Sequence, residues 1–97
     1  EAHYALYPPG TFYKRHVDNF RGRSSRVVTS LLYLNPHWQP GDGGEMQLYP
    51  DAADAAQRVE PRLGTFVLFM AEDLPHEVLP TRVPRGSIAG WFRRDLR

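Results

Sequence analysis

The sequence predicts an all-β domain, a two-sheet jelly roll or small barrel with little or no helix. Nine Pro and eight Gly are scattered singly and in short clusters through 97 residues. That spacing punctuates the chain too often for helices and implies many short elements with tight connections. Between the breakers lie about seven or eight stretches of some five or six residues with strand-like patterning. The length fits one domain, close to the lower limit at which a single core holds a fold.

The elements follow in order. Residues 2–7 are aromatic-rich and end at a Pro8-Pro9-Gly10 turn. Residues 12–18 read as a strand with one polar side, which is unusual for a core strand. Residues 19–25 form a loop by composition. Residues 26–34 (RVVTSLLYL) are the most apolar stretch and read as a buried central strand. After a Pro- and Gly-rich loop at 35–44, residues 45–49 alternate as a half-buried strand does. Residues 51–57 (DAADAAQ) have the composition for one helical turn, but a solvated loop is the better expectation. Residues 65–70 (TFVLFM) read as another buried strand. A turn at 72–75 leads into residues 76–79, and a further turn at 80–84 leads into the closing strand at 86–92. With 41% hydrophobic residues set against the entropy of ordering the chain, few apolar side chains are expected to be left idle. No second domain or internal repeat is visible. The abrupt start in a strand suggests one core, 1–97, of a longer protein whose flanking helices are absent.

Composition excludes several functions. A net charge of +1 argues against a nucleic-acid binder driven by charge. The absence of cysteine removes a disulfide framework, a thiolate zinc site and a cysteine nucleophile, and leans towards a cytoplasmic location. No apolar run approaches the length of a membrane span, and no signal-peptide pattern opens the chain.

The chemistry-bearing residues are polar ones on strands. His16 and Asp18 are two apart, so in extended chain both side chains leave one face. Imidazole nitrogen beside carboxylate oxygen suits a divalent ion, and His76 is the best candidate for a third ligand. Two His and one carboxylate form a facial triad with open positions, as in non-haem Fe(II) oxygenases. An isolated H-x-D is common by chance. His3, near the start, and His37, in a Pro- and Gly-rich loop, are expected to be surface or packing residues. Arg85 strengthens the triad. On the last strand Arg85, Ser87, Ala89 and Trp91 share a face: a guanidinium, two small residues and an indole. That face leaves room for a ligand carboxylate gripped by the arginine fork.

The runs YPPGTFYKRHVDN, VVTSLLYLN, GGEMQLYP, PHEV and RGSIAGWF together resemble the Fe(II)- and 2-oxoglutarate-dependent dioxygenases of the prolyl 4-hydroxylase type. Among these the chain is most similar to the Egl-nine type prolyl hydroxylases that act on hypoxia-inducible factor and their bacterial relatives. The resemblance implies a double-stranded β-helix (jelly roll, cupin-like) with Fe(II) on His16, Asp18 and His76. It implies 2-oxoglutarate with its far carboxylate on Arg85, helped by Tyr33, and Tyr7 near the co-substrate. O2 is the second co-substrate, and ascorbate is a further expected reductant. Tyr33 also ends a face shared with Val27, Thr29 and Leu31, which places a hydroxyl beyond a mostly apolar wall. Thr29, Leu31, Met46, Leu48 and Trp91 are expected to line the pocket; Met46 and Leu48 fit plain core equally well. The implied reaction is hydroxylation of a prolyl residue in a protein or peptide, with release of succinate and CO2. A ligating Asp18 favours hydroxylation over the halogenation of relatives that lack it. The competing readings are the same cofactors acting on a free amino acid or small metabolite, and a non-catalytic jelly-roll binding module. A zinc hydrolase ranks low because no H-E-x-x-H is present.

Overall fold

The computed structural model describes residues 1–18, 25–50, 56–72 and 74–94. Eight strands appear in the order β1 (Ala2–Tyr7), β2 (Tyr13–His16), β3 (Arg26–Tyr33), β4 (Met46–Leu48), β5 (Gln57–Val59), β6 (Phe66–Met70), β7 (His76–Val78) and β8 (Arg85–Arg93). No helix is present among the described residues. They form two four-stranded antiparallel sheets, ordered β1-β8-β3-β6 and β2-β7-β4-β5. Strands β1 to β4 alternate between the sheets, and so do β5 to β8, with the β4-β5 hairpin joining the two runs within one sheet, as in a double-stranded β-helix. The core lies between the sheets, around Met46, Leu48 and Phe69, with Leu31, Val59, Val67 and Leu74 packed against it.

Most elements fall where the residue pattern predicts them, β1 over the same six residues. Strand β5 is an addition: QRV is short and polar, and it is held as a strand by pairing with β4 rather than by any apolar pattern. The loop expected at 19–25 lies outside the described residues except Ser25, as do residues 51–55 of the expected turn or loop, whose end at Gln57 instead opens β5. Strand β6 corrects an expectation. It was to be buried throughout, yet only Phe69 is buried, while Phe66, Leu68 and Met70 are exposed. An apolar run reads as two-sided burial only if something covers both faces, and among the described residues one face lacks a partner layer. Tyr4, Leu6, Ile88 and Phe92 are exposed on that same outer side, contrary to the expectation that few apolar side chains stay idle.

Two irregularities in strand pairing aim side chains inward. Between β2 and β7, Tyr13 faces Val78 and His16 faces His76, so four residues on one strand match three on the other. Between β3 and β8, Arg26 faces Arg93 while Val28 faces Phe92. Each is a bulge, which adds one residue and shifts the alternation of side chains along its strand.

Candidate active site

The β2 bulge sets His16 directly opposite His76, with ring centroids 4.2 Å apart. Asp18 follows two residues after His16, and its Oδ1 lies 3.1 Å from His16 Nε2 and 3.3 Å from His76 Nε2. One donor atom from each residue lies within 4.8 Å of the others. Both imidazoles are oriented by backbone: His16 Nδ1 is 2.7 Å from the Lys14 carbonyl and His76 Nδ1 is 3.0 Å from the Leu74 carbonyl. A carbonyl accepts only, so each Nδ1 carries the hydrogen and each Nε2 turns inward as a ligand. Phe69 packs edge-on against His76 at 4.8 Å.

Asp18 is held from its other side. Thr29 Oγ1 donates to Oδ2 at 2.7 Å, and Trp91 Nε1 reaches the same oxygen at 3.4 Å. Thr29 and Trp91 are cross-strand partners on β3 and β8, so one register delivers both donors. Burial would raise the Asp18 pKa, but the bonds from His16, His76 and Thr29 outweigh it and hold the carboxyl well below its usual range. Oδ1 is thereby left for the histidine side, as a single anionic oxygen between two imidazole nitrogens. The set fits a borderline divalent ion such as Fe(II).

A cavity of about 190 Å³ opens beside this cluster, lined in part by Thr29, Leu31, Met46, Arg85 and Trp91. All five were expected there. Leu48 instead belongs to the core, directly opposite His76 in the β4-β7 register. Arg85 is 3% exposed. Its Nε donates to the Gly44 carbonyl at 2.7 Å, and its guanidinium carbon stands 5.0 Å from the centroids of both Tyr7 and Tyr33. No carboxylate among the described residues lies within ion-pair distance of it. A buried cation without a counter-anion is costly unless a ligand supplies one. Burial pushes the hydroxyls of Tyr7 and Tyr33 up in pKa, against the opposing field of Arg85, so both stay neutral donors. Tyr33 now points at Met46 Sδ, 3.6 Å away, a weak partner that a carboxylate oxygen readily replaces. Tyr7 and Tyr33 flank Arg85 from behind the cavity wall.

Three lining residues escaped the sequence reading, Tyr13, Arg26 and Val78. Tyr13 packs on the His16 ring at 4.1 Å, and the Arg26 guanidinium lies 3.8 Å over Trp91. Strict alternation puts Tyr13 on the opposite side from His16, and Arg26 on the opposite side from Thr29. The bulges bring both back. His3 and His37 are exposed, as expected. A larger cleft of about 410 Å³ runs along the outer side past Tyr4, Leu6 and Trp38. Among the described residues, however, only His16, Asp18 and His76 form a metal-ligating cluster.

Comparison with known proteins agrees with this geometry. Human Egl nine homolog 1 is 36% identical over 91 residues, covering 91% of this chain and 21% of that protein. The crystal structure of a Pseudomonas putida prolyl-4-hydroxylase superposes with a TM-score of 0.90 at 49% identity, covering 96% of this chain and 51% of that one. A prolyl hydroxylase from Trichoplax adhaerens, in complex with a hypoxia inducible factor oxygen degradation domain peptide fragment, gives 0.88 at 36% identity, covering 96% and 43%. The chain thus spans about a fifth to a half of the relatives it matches. The model of the 2OG-Fe(II) oxygenase superfamily matches residues 2–93, and the chain belongs to that family.

Proposed function

We propose that this domain hydroxylates a prolyl residue of a protein or peptide, using Fe(II), 2-oxoglutarate and O2. The observation that carries the reading is the buried Arg85 guanidinium, without a carboxylate partner among the described residues, across one small cavity from the His16–Asp18–His76 cluster. The preference for prolyl substrates rests on the prolyl hydroxylases among the matched relatives, one of them solved with a peptide.

In this reading His16 Nε2, Asp18 Oδ1 and His76 Nε2 hold the iron. When bound, the metal and 2-oxoglutarate together supply the O2 chemistry that yields succinate and CO2 and transfers one oxygen atom to a substrate C–H bond. The chain's own residues do the rest. Thr29 and Trp91 keep Asp18 turned so that one oxygen faces the metal position. Arg85 and Tyr33 receive the far carboxylate of the co-substrate. Leu31 and Met46 make the wall between these polar ends apolar, which strengthens both sets of electrostatic contacts. Tyr13 presents an aromatic ring beside the metal position, a surface suited to a proline ring.

The test is turnover on a panel of proline-containing peptides alongside free amino acids. A peptide that gains one oxygen in mass, with matching succinate dependent on both Fe(II) and 2-oxoglutarate, supports the proposal. His76→Ala is expected to lower the rate by about a thousandfold or more. Undiminished turnover in that variant refutes the assignment, and oxidation of small molecules alone refutes the prolyl part.

We also read residues 1–97 as a single catalytic β-core of a longer chain, whose supporting helices pack on the exposed outer face of the β1-β8-β3-β6 sheet. No helix of the described chain is long and apolar enough to cross a membrane. A cytoplasmic location accords with a cysteine-free sequence.

A further inference from the structure

Arg85 is held in place from outside the strand that carries it. Its Nε donates to the carbonyl of Gly44, in the turn just before β4. Gly44 is itself pinned, its N–H donating to the Pro80 carbonyl at 3.1 Å, while neighbouring Gly43 bridges to Thr81. Thr81 is buried and ties its hydroxyl to the Val83 carbonyl at 2.7 Å. Gly44 has φ +75°, and a Cβ there would lie 2.8 Å from Arg85 Cδ, 3.2 Å from Arg85 Nε and 3.2 Å from Thr81 Cβ. Thr81 is fixed by its own bonds, so the arginine side chain is what must give way. The other glycines of this loop differ. A Cβ on Gly43 strikes backbone, the Pro80 carbonyl at 2.3 Å, whereas Gly41, with φ +96°, has open space around it.

We propose that Gly44 is a positioning residue for Arg85 and sets the preference for a dicarboxylic over a monocarboxylic 2-oxo acid. This rests on the function proposed above. With Nε–H committed to Gly44, only the two terminal nitrogens remain to meet a ligand, and they meet it in one orientation. A co-substrate that lacks the second carboxylate leaves this immobilised cation buried and unpaired, so the site rejects it. An arginine free to swing towards other acceptors carries no such penalty, and discrimination falls.

The experiment is calorimetric titration of 2-oxoglutarate and of 2-oxobutyrate into Mn(II)-loaded protein, without turnover. The natural sequence is expected to bind 2-oxoglutarate at least about thirtyfold more tightly. Gly44→Ala is expected to lower that ratio by about tenfold or more, with Mn(II) and 2-oxobutyrate affinities changed by less than about twofold. Gly41→Ala takes on similar backbone strain without meeting Arg85, and keeps the ratio. In an Arg85→Gln background Gly44→Ala adds nothing further. An unchanged ratio in Gly44→Ala, or an equal loss in Gly41→Ala, overturns the proposal. Should Gly44→Ala not fold, Arg85→Lys decides the matter. It keeps the charge but lacks the Nε–H, so retention of the ratio overturns the clamp and its loss supports it. Absence of any preference in the unsubstituted protein refutes the 2-oxoglutarate reading itself, a separate outcome.

Discussion

The two faces of the β1-β8-β3-β6 sheet invert the usual distribution of polarity. The inner face buries Thr29, Tyr33, Arg85 and Ser87, while the outer face exposes Tyr4, Leu6, Phe66, Leu68, Met70 and Phe92. Buried polar groups on the inner face are tolerated because each has a partner or awaits one: Thr29 has Asp18, and Arg85 has Gly44 and room for an anion. No buried side-chain nitrogen or oxygen among the described residues lacks a hydrogen-bond partner. Apart from Ser30, whose hydroxyl donates to the Gly90 carbonyl at 3.1 Å, the described residues of the outer face present mainly apolar area that water covers at a cost. The difference separates two kinds of requirement. The inner face is specified atom by atom, whereas the outer face asks only for an apolar layer.

The sharpest test of the inner face is Thr29→Val, which keeps shape but removes the donor to Asp18 Oδ2. Mn(II) or Co(II) affinity is expected to fall about tenfold to a hundredfold, as for other residues that orient a metal ligand. Thr29→Ser restores the hydroxyl and is expected to recover most of it. Equal affinity in Thr29→Val, measured by metal titration, shows that Asp18 needs no such support and that the inner face is less closely specified than its bonds imply.

A smaller effect follows from the same contacts in the metal-free protein. The Asp18 carboxyl is held below its usual range, so its contribution to stability is present above about pH 4, the unfolded value, and is lost as pH falls below that. For His16, burial lowers the pKa, but the Asp18 and Lys14 hydrogen bonds together outweigh it and raise the pKa overall. Its contribution is therefore complete below about pH 6.5, the unfolded value, and is lost as pH rises through the higher folded value. Thermal melting with EDTA is expected to be flat between about pH 4 and 6.5 and to decline on both sides. Metal binding takes the Nε2 lone pair in place of the proton, so the alkaline decline should vanish with Mn(II). A melting profile that Mn(II) leaves unchanged above pH 6.5 contradicts this pairing.

How much of this was legible in the sequence depends on the face and on the regularity of the strand. Alternation along residues 85–91 and 27–33 identified Arg85, Trp91, Thr29 and Leu31 as pocket-facing, because those strands keep their register across the site. The same rule failed for Tyr13 and Arg26, since a bulge leaves no local mark and is visible only as a mismatch between two strands. Gly44 was read only as part of a loop. Its importance comes from a side chain 41 residues away. The edge strand β5 owes its conformation to its neighbour β4, so its own residues announce nothing.

The outer face gives the smallest effect and the most direct test of why it is apolar. If its side chains are surplus to this domain and meant for a covering layer, replacing them should hardly affect the isolated domain. Leu68→Gln and Phe66→Gln lie on β6, which flanks the core through Val67 and Phe69 on its other side. Each is expected to change unfolding free energy by less than about 0.5 kcal/mol, the scale of a surface substitution. The same substitutions should reduce binding of an apolar dye to the folded protein, because they remove exposed apolar area. A loss above about 1 kcal/mol in either variant means that the face is already packed in the domain as it stands. That result removes the contrast between the two faces, and with it the case that helices elsewhere in a longer chain cover this sheet. Stability and dye binding therefore have to separate: an unchanged melt with reduced dye binding is what an uncovered docking face produces and what a finished surface does not.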